Sequence, residues 1–494
     1  MTFRRDTAAA LSAVVLALAG CSGQSVSAEQ AIAETQPPEL AGLLGDAEAQ
    51  MAAGNLADAA RTLDEARAIA ANDPDVWVAI ARLRFRGGEH LNALDAADRA
   101  LELGPAHAPA LLMRALMVRD AHGFAGALAW MEAALAADPD NPDAWAEYAA
   151  TLGDSGRAGD MLEAVRKLAE VAPADPRVPY LQAVLATRGG EYTIARSLLA
   201  RSGMAARGMP AAMQLDAVIN LAQGNADSAA ATLEALAARQ PANARLRELL
   251  AKALMESGRA DEVITRFGPD ASLPEASPYL VLLVARSHEQ RGARDLAAPL
   301  LARAFAKADG GLGVLAARNG LPPPTAAARE AGRGGDWNTA QTGVGALLAR
   351  FPASADVAAL AGDVALGAGD PLAALTSYAL ATRVKRPWPL TRKVMLAYTR
   401  AGDAAAADAL LARHVYGEPG NASALVALAT TLARHGDWGR VSQLLDHALA
   451  LGAGHDPALL GLRLQAARAL ENDGDVRRFA TLLAEVQPRS LTAP

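Results

Sequence analysis

The chain predicts an all-α fold: a right-handed superhelical solenoid of about 12–13 helix–turn–helix units. Three observations carry that reading. Gly54, Gly88, Gly156, Gly190, Gly224, Gly258 and Gly292 fall on one 34-residue grid; the grid point without Gly is His122, with Gly123 beside it. A stride of this length marks a pair of helices repeated end to end, and Gly lets the chain turn between the two helices without a steric penalty. Small residues ride on the same grid. With the grid Gly at place 15 of each unit, place 8 is Ala81, Ala115, Ala149, Ala183, Ala217, Ala251 and Ala285. Place 20 is Ala59, Ala93, Ala127, Met161, Ala195, Ala229, Val263 and Ala297. Small side chains at these places let helix backbones approach closely. Pro105, Pro139, Pro173 and Pro241 fall at place 32, where Pro ends one helix pair and sets up the next.

Composition agrees. Hydrophobic residues make up 52% of the 494 positions and aromatics only 4%, so the apolar content is mostly Ala and Leu, which suits helices better than sheets. The net charge of −7 argues against general nucleic-acid binding. One Cys excludes an intramolecular disulfide and a cysteine-rich metal site.

That Cys lies at the end of a leader. Arg4 and Arg5 form a short positive region, Ala8 to Leu18 is an apolar run too short to span a bilayer, and Leu18-Ala19-Gly20-Cys21 follows. These four residues resemble the lipobox of bacterial lipoproteins. The resemblance implies cleavage before Cys21, lipidation of Cys21, and a membrane anchor there; the alternative is an ordinary secretory signal with an incidental Cys. Ser22, rather than Asp, implies by the same resemblance release to the outer membrane, facing the periplasm. Residues 22–39, with Pro37-Pro38, read as a flexible tether.

The repeats then run in two arrays, 40–309 and 326–488, with a tail at 489–494. The first unit spans about Leu40 to Asp73, and the next three begin near Pro74, Ala108 and Pro142. The fifth has a second helix cut short at Ser202-Gly203, and the seventh is expected to lose its last turns at Gly268-Pro269. The eighth begins near Pro278. The phase then breaks, with 43 residues between Gly292 and Gly335; Gly310-Gly311 and Leu321-Pro322-Pro323-Pro324 make 310–325 the expected boundary. Gly335-Asp336, Gly369-Asp370, Gly402-Asp403 and Gly436-Asp437 restart the grid, and a degenerate unit around Gly474 closes the chain. The whole pattern resembles the tetratricopeptide-repeat (TPR) family, with large residues Trp77, Leu111 and Trp145 at place 4 and Leu63, Met131, Val165, Leu199, Leu233 and Leu301 at place 24.

No catalytic, metal or cofactor signature stands out. His-Glu-x-x-His, Walker and Gly-x-Ser-x-Gly motifs are missing from the sequence. Asp138-Pro139-Asp140-Asn141-Pro142-Asp143 lacks the Gly and terminal Glu of a calcium loop and reads as an inter-repeat turn with capping residues. His447 and His455 are separated by a Gly-Ala-Gly turn and read as surface or packing residues. Trp77, Trp145, Trp337 and Trp438 sit where a repeat needs a wedge; Trp130 and Trp388 are harder to place in a core.

The TPR resemblance implies that the first helix of each pair lines a concave groove through places 2, 5, 9, 12 and 13. Those places hold Arg82, Arg86, Arg119, Arg177, Arg188, Arg245, Lys252, Arg286, Arg329, Arg333, Arg392, Arg400 and Arg434. Against these thirteen bases stand nine acids: Asp75, Asp120, Asp143, Asp154, Glu248, Glu256, Glu289, Asp356 and Asp363. Val78, Phe85, Leu112, Leu116, Tyr180, Val184, Leu282 and Leu396 are interleaved. An Arg-rich, partly apolar groove suits a peptide with acidic groups; the alternative is a solvated mixed face. The expected function is a non-enzymatic, lipid-anchored periplasmic scaffold that binds envelope proteins or peptides and needs no cofactor. The alternative is an accessory factor in export of surface polysaccharide or surface-sorted proteins, with an anionic polysaccharide as ligand.

Overall fold

The computed structural model describes residues 38–241, 243–273, 276–304, 312, 314–315, 323–451, 453–454 and 456–486. The leader with Cys21, most of the 22–39 tether, most of the 310–325 break and the 489–494 tail lie outside them. The described residues form thirteen helix pairs and no strand. The first array holds eight: α1 (Pro38–Ala52) with α2 (Leu56–Ile69), α3 (Pro74–Arg86) with α4 (His90–Leu103), α5 (Ala108–His122) with α6 (Phe124–Ala137), α7 (Pro142–Asp154) with α8 (Ala158–Val171), α9 (Arg177–Arg188) with α10 (Tyr192–Ser202), α11 (Pro210–Ala222) with α12 (Ala226–Arg239), α13 (Ala244–Glu256) with α14 (Ala260–Ala271), and α15 (Pro278–Gln290) with α16 (Arg294–Ala304). The second holds five: α17 (Pro323–Arg333) with α18 (Trp337–Arg350), α19 (Ala355–Gly367) with α20 (Pro371–Thr382), α21 (Trp388–Arg400) with α22 (Ala404–Gly417), α23 (Ala422–Arg434) with α24 (Trp438–Ala450), and α25 (Pro457–Ala469) with α26 (Asp473–Val486).

Local chemistry explains the boundaries. First helices begin on side-chain caps: Asn141 accepts from the Ala144 amide at 3.0 Å, Ser277 from Leu280 at 3.1 Å and Asn421 from Ala424 at 3.1 Å. The Asp138–Asp143 segment is thus a capped turn. In the second array the Gly-Asp pairs also cap second helices, with Asp370 accepting from Ala373 and Asp403 from Ala406, both at 2.9 Å. At the matching sites of the first array, Asn55, Glu89 and Arg157 make no such bond. The grid Gly residues take left-handed φ, as at Gly88 (+80°) and Gly369 (+89°), so the turn reverses where an L-residue would be strained.

The small-residue grid is the core. Ala81, Ala115, Ala149, Ala183, Ala217, Ala251 and Ala285 are wholly buried, as are Ala59, Ala93, Ala127, Ala195, Ala229 and Ala297. One pair departs from the rule in a compensated way. The tenth unit has Tyr378 at place 24 and Gly362 at place 8; a Cβ on Gly362 would overlap the Tyr378 ring. Place-4 Trp77 and Trp145 pack in the cores and send their indole N–H to the Ala71 and Pro139 carbonyls at 2.8 and 2.7 Å. Trp130 and Trp388 also pack against cores, Trp388 over His414 with ring centroids 5.2 Å apart.

Four expectations are corrected or refined. Helix α14 does not lose its last turns: it runs through Gly268-Pro269 to Ala271. Pro269 lacks the amide that would donate to the Thr265 carbonyl, and buried Phe267 and Ala271 hold the last turn to the core despite that loss. Helix α17 starts at Pro323 and α1 at Pro38, earlier than the 326 and 40 boundaries, because Pro needs no amide partner in a first turn. Leu315, from the expected break, is buried with Ala328, Val344 and Leu347. The last unit is a full pair, closed by buried Phe479. The short α10, which ends at Gly203 with φ +61°, is as expected.

One feature had no counterpart in the sequence reading. The second array comes back onto the first along a seam, each contact joining units eight pairs apart. The Leu91 amide donates to the Ala353 carbonyl at 3.1 Å, and the Ala355 amide to His90 Nδ1 at 3.2 Å. The Arg386 amide donates to the Asp120 carbonyl at 2.9 Å. Ala355 and Val384 are buried in the core cluster of the first three units. Gly417, ending α22, lies against Gly123, at the start of α6. One superhelical turn therefore takes eight pairs, and the next turn seats on it.

The seam accounts for the one defect in the Gly grid. In the third unit α5 runs on through His122, and Gly123 (φ +88°, ψ −177°) leads straight into α6. That shortened turn is the surface on which Gly417 sits.

Candidate binding groove

First helices of successive pairs touch each other, as α1 with α3, α3 with α5, α7 with α9 and α19 with α21, while neighbouring second helices meet far less. The layer of first helices is therefore the compressed, inner side of the curve, and the predicted groove residues lie on it.

The structure directs five of them at the neighbouring unit. Arg119 on α5 donates to Glu147 on α7 at 2.9 Å and to Thr151 at 3.1 Å. Arg177 on α9 pairs with Asp143 on α7 and with Asp175, both at 2.6 Å. Arg188 bonds the Gly153 carbonyl and reaches Asp154 at 3.3 Å, back across to α7. Arg400 on α21 donates to the Leu366 carbonyl on α19 at 2.9 Å. Arg82 stands 4.0 Å from Glu48 on α1. Arg245, Lys252 and Arg286 pair along their own helices with Glu248, Glu256 and Glu289, and Arg392 is also engaged. Arg86 is exposed at the end of α3.

The basic residues thus form rungs between inner helices. Asp175 is held below the usual carboxylate range, first by its hydrogen bond from the Arg177 side chain. Each part-exposed rung contributes about 0.2–1 kcal/mol. A double-mutant cycle on Arg119→Met and Glu147→Gln is expected to give a coupling in that range by denaturant unfolding; a coupling of zero would remove the pair as a link between units.

Some predicted lining residues lie elsewhere. Val78 and Leu112 are buried in core clusters rather than facing the groove. Asp363, expected as an inner-face acid, is 2% exposed. It accepts from the Tyr378 hydroxyl at 2.9 Å and from Lys393 Nζ at 2.7 Å, with Arg329 4.0 Å away. Burial pushes its carboxyl up despite Lys393. Lys393, at place 6, is outside the places expected to line the groove; its contact with Asp363 on the neighbouring inner helix gives it a role. Phe85 is half-buried against the first core, edge-on to His90 at 5.3 Å. His447 donates or accepts only at the Pro419 carbonyl, and a carbonyl accepts, so its Nε2 donates, at 2.9 Å. Among the described residues no group of three or more His, Cys, Asp or Glu side chains is placed to hold a metal ion.

Family models agree with this geometry. Residues 78–142 and 325–389 match one tetratricopeptide-repeat model, and residues 220–268 match a second. Those segments carry tetratricopeptide repeats. Three solved structures are similar to the chain in part. PilF of Pseudomonas aeruginosa is 17% identical over 43% of this chain and 97% of its own, with a TM-score of 0.33. PilW, described as a widely conserved type IV pilus biogenesis factor, is 18% identical over 43% and 99%, also at 0.33. Human IFIT1, a dimer with PPP-AAAA, is 18% identical over 69% and 82%, at 0.40. At these TM-scores the likenesses bear on neither partner nor chemistry. No curated protein matches the chain.

Proposed function

We propose that this TPR chain is a non-enzymatic scaffold, anchored by lipid at Cys21 on the periplasmic face of a bacterial outer membrane, whose inner layer holds segments of other envelope proteins. The observation that carries it is the run of thirteen stacked helix pairs among the described residues, which offers a long inner surface. Support for the anchor is the sequence Leu18-Ala19-Gly20-Cys21 behind an apolar run. A peptide fits the inner face better than a polyanion. Arg82, Arg119, Arg177, Arg188, Arg245 and Arg286 already have carboxylate partners, and a strand of mixed charge exchanges with those pairs at little loss of pairing, whereas a polyanion leaves the displaced carboxylates unpaired. Export of an anionic surface polysaccharide is therefore the second reading, supported only by the Arg content of the face.

Cys21→Ser tests the anchor. The native protein is expected in the membrane fraction, and the variant as a soluble periplasmic or unprocessed chain. An equal membrane share for both would end the lipid reading. Crosslinking followed by recovery from solubilised membranes tests the scaffold: a stoichiometric envelope protein is expected, and its loss in a variant lacking the inner Arg residues would place it on this face.

A further inference from the structure

The seam between the two turns is built from groups that take up protons. At one end His90, opening α4, accepts the Ala355 amide on Nδ1. An amide only donates, so Nδ1 carries a lone pair and the ring is neutral with its proton on Nε2. Asp356 faces this ring from α19, Lys385 faces it from the α20–α21 connection, and Glu89 is the adjacent acid on its own side. In the middle Arg386 holds the Asp120 carbonyl through its amide, and its Nε is buried without a partner. At the far end His122 meets Arg386 from the connection, Arg413 from α22 and Arg114 from α5. Behind them His414 is buried between Thr391 at 3.1 Å and Glu418 at 3.4 Å, with Asn421 at 3.4 Å and Arg386 nearby.

We propose that this seam is an acid-released latch: protonating His90 and His122 frees the second turn from the first and opens the inner face. A second proton on His90 must go to Nδ1, which turns the acceptor of the Ala355 amide into a donor facing a donor. Burial opposes the charge it adds more than Asp356 favours it, and Lys385 opposes it too. A charge on His122 would sit near Arg386, Arg114 and Arg413, each of which disfavours it. The seam has few bonds compared with the interfaces between stacked units, so it is the part that opens first. The direction follows from the surroundings. Burial, before any charge, holds both imidazoles below their usual range, and burial with Arg386 pushes His414 down to about 4. A histidine harder to protonate when the seam is closed contributes fully above about pH 6.5 and is lost as pH falls through its lowered value.

Amide hydrogen exchange on the full chain tests the latch, with rates corrected for the intrinsic effect of pH. Between about pH 7.5 and 5, protection at Leu91, Ala355 and Arg386 is expected to fall about tenfold or more, while α7 and α8 keep theirs. His90→Gln with His122→Gln keeps an acceptor at residue 90 and removes both protonation sites, so protection should persist at about pH 5. Unchanged protection in the native chain would overturn the proposal, and so would an equal loss in the double variant. Where that variant does not hold the seam at about pH 7.5, the native radius of gyration decides. It should rise with a midpoint between about pH 4 and 6.5; no rise, or a midpoint outside that window, overturns the latch.

Discussion

Lys393→Met is expected to destabilise the second array by about 3 kcal/mol, measured by urea unfolding with exchange of α19–α21 amides as the local readout. Lys393 and Asp363 are both largely buried, 2.7 Å apart, and link the inner helices of the tenth and eleventh units. Removing the ammonium leaves a buried carboxylate with the Tyr378 hydroxyl and Arg329 at 4.0 Å. Breaking one partner of a buried pair costs about 3–5 kcal/mol, and the remaining Arg329 places this case at the lower end. The pH dependence has a definite sign. Burial raises the Asp363 carboxyl in the native chain, and without Lys393 it rises further. A raised carboxylate binds its proton more tightly folded than unfolded, so the variant gains stability as pH falls. Adding Asp363→Asn should recover part of the loss. A loss under about 1 kcal/mol, or no pH dependence, would mean the charge is not confined as the geometry implies.

Gly417→Ala is expected to open the seam although it improves the helix that carries it. Gly417 ends α22, and its backbone rests against His122 and Gly123 so closely that a Cβ would overlap the His122 carbonyl. That neighbour is backbone and cannot rotate away, so the two turns must separate. Overpacking of this kind costs about 1–3 kcal/mol, while Ala in place of Gly returns about 0.5–1 kcal/mol to the helix. The two effects read out in different places. Protection should fall at the Leu91, Ala355 and Arg386 amides and hold or rise within α22. Gly461→Ala is the matched control: Gly461 lies inside α25 with nothing within 4 Å of a Cβ, and the change should stabilise by about 0.5–1 kcal/mol. Native-like seam protection in Gly417→Ala would show that the turns do not touch in solution.

The repeat itself was open to reading along the sequence, because each of its terms is local. The turn at Gly88 needs a left-handed φ, the cap at Asn141 acts three residues on, and Ala149 is small because two backbones of its own pair meet there. Contacts within a unit repeat at fixed spacing, so their pattern can be seen without coordinates. The helix boundaries at Pro269 and Pro323 are not legible along the sequence, because the cost of a Pro depends on its position in the helix and on the packing around it. The inner face was only half legible. Place numbers put Arg119, Arg177 and Arg188 on it, but only the stacking of α5, α7 and α9 shows that their charge goes to Glu147, Asp143 and Asp154. The seam was not legible at all. It joins residues 265 apart, such as His90 and Ala355, through the small rotation each pair adds to the last. Stride and turn chemistry determine what each unit is; where the eighth step lands depends on the sum of many packing angles, and no single residue encodes that sum.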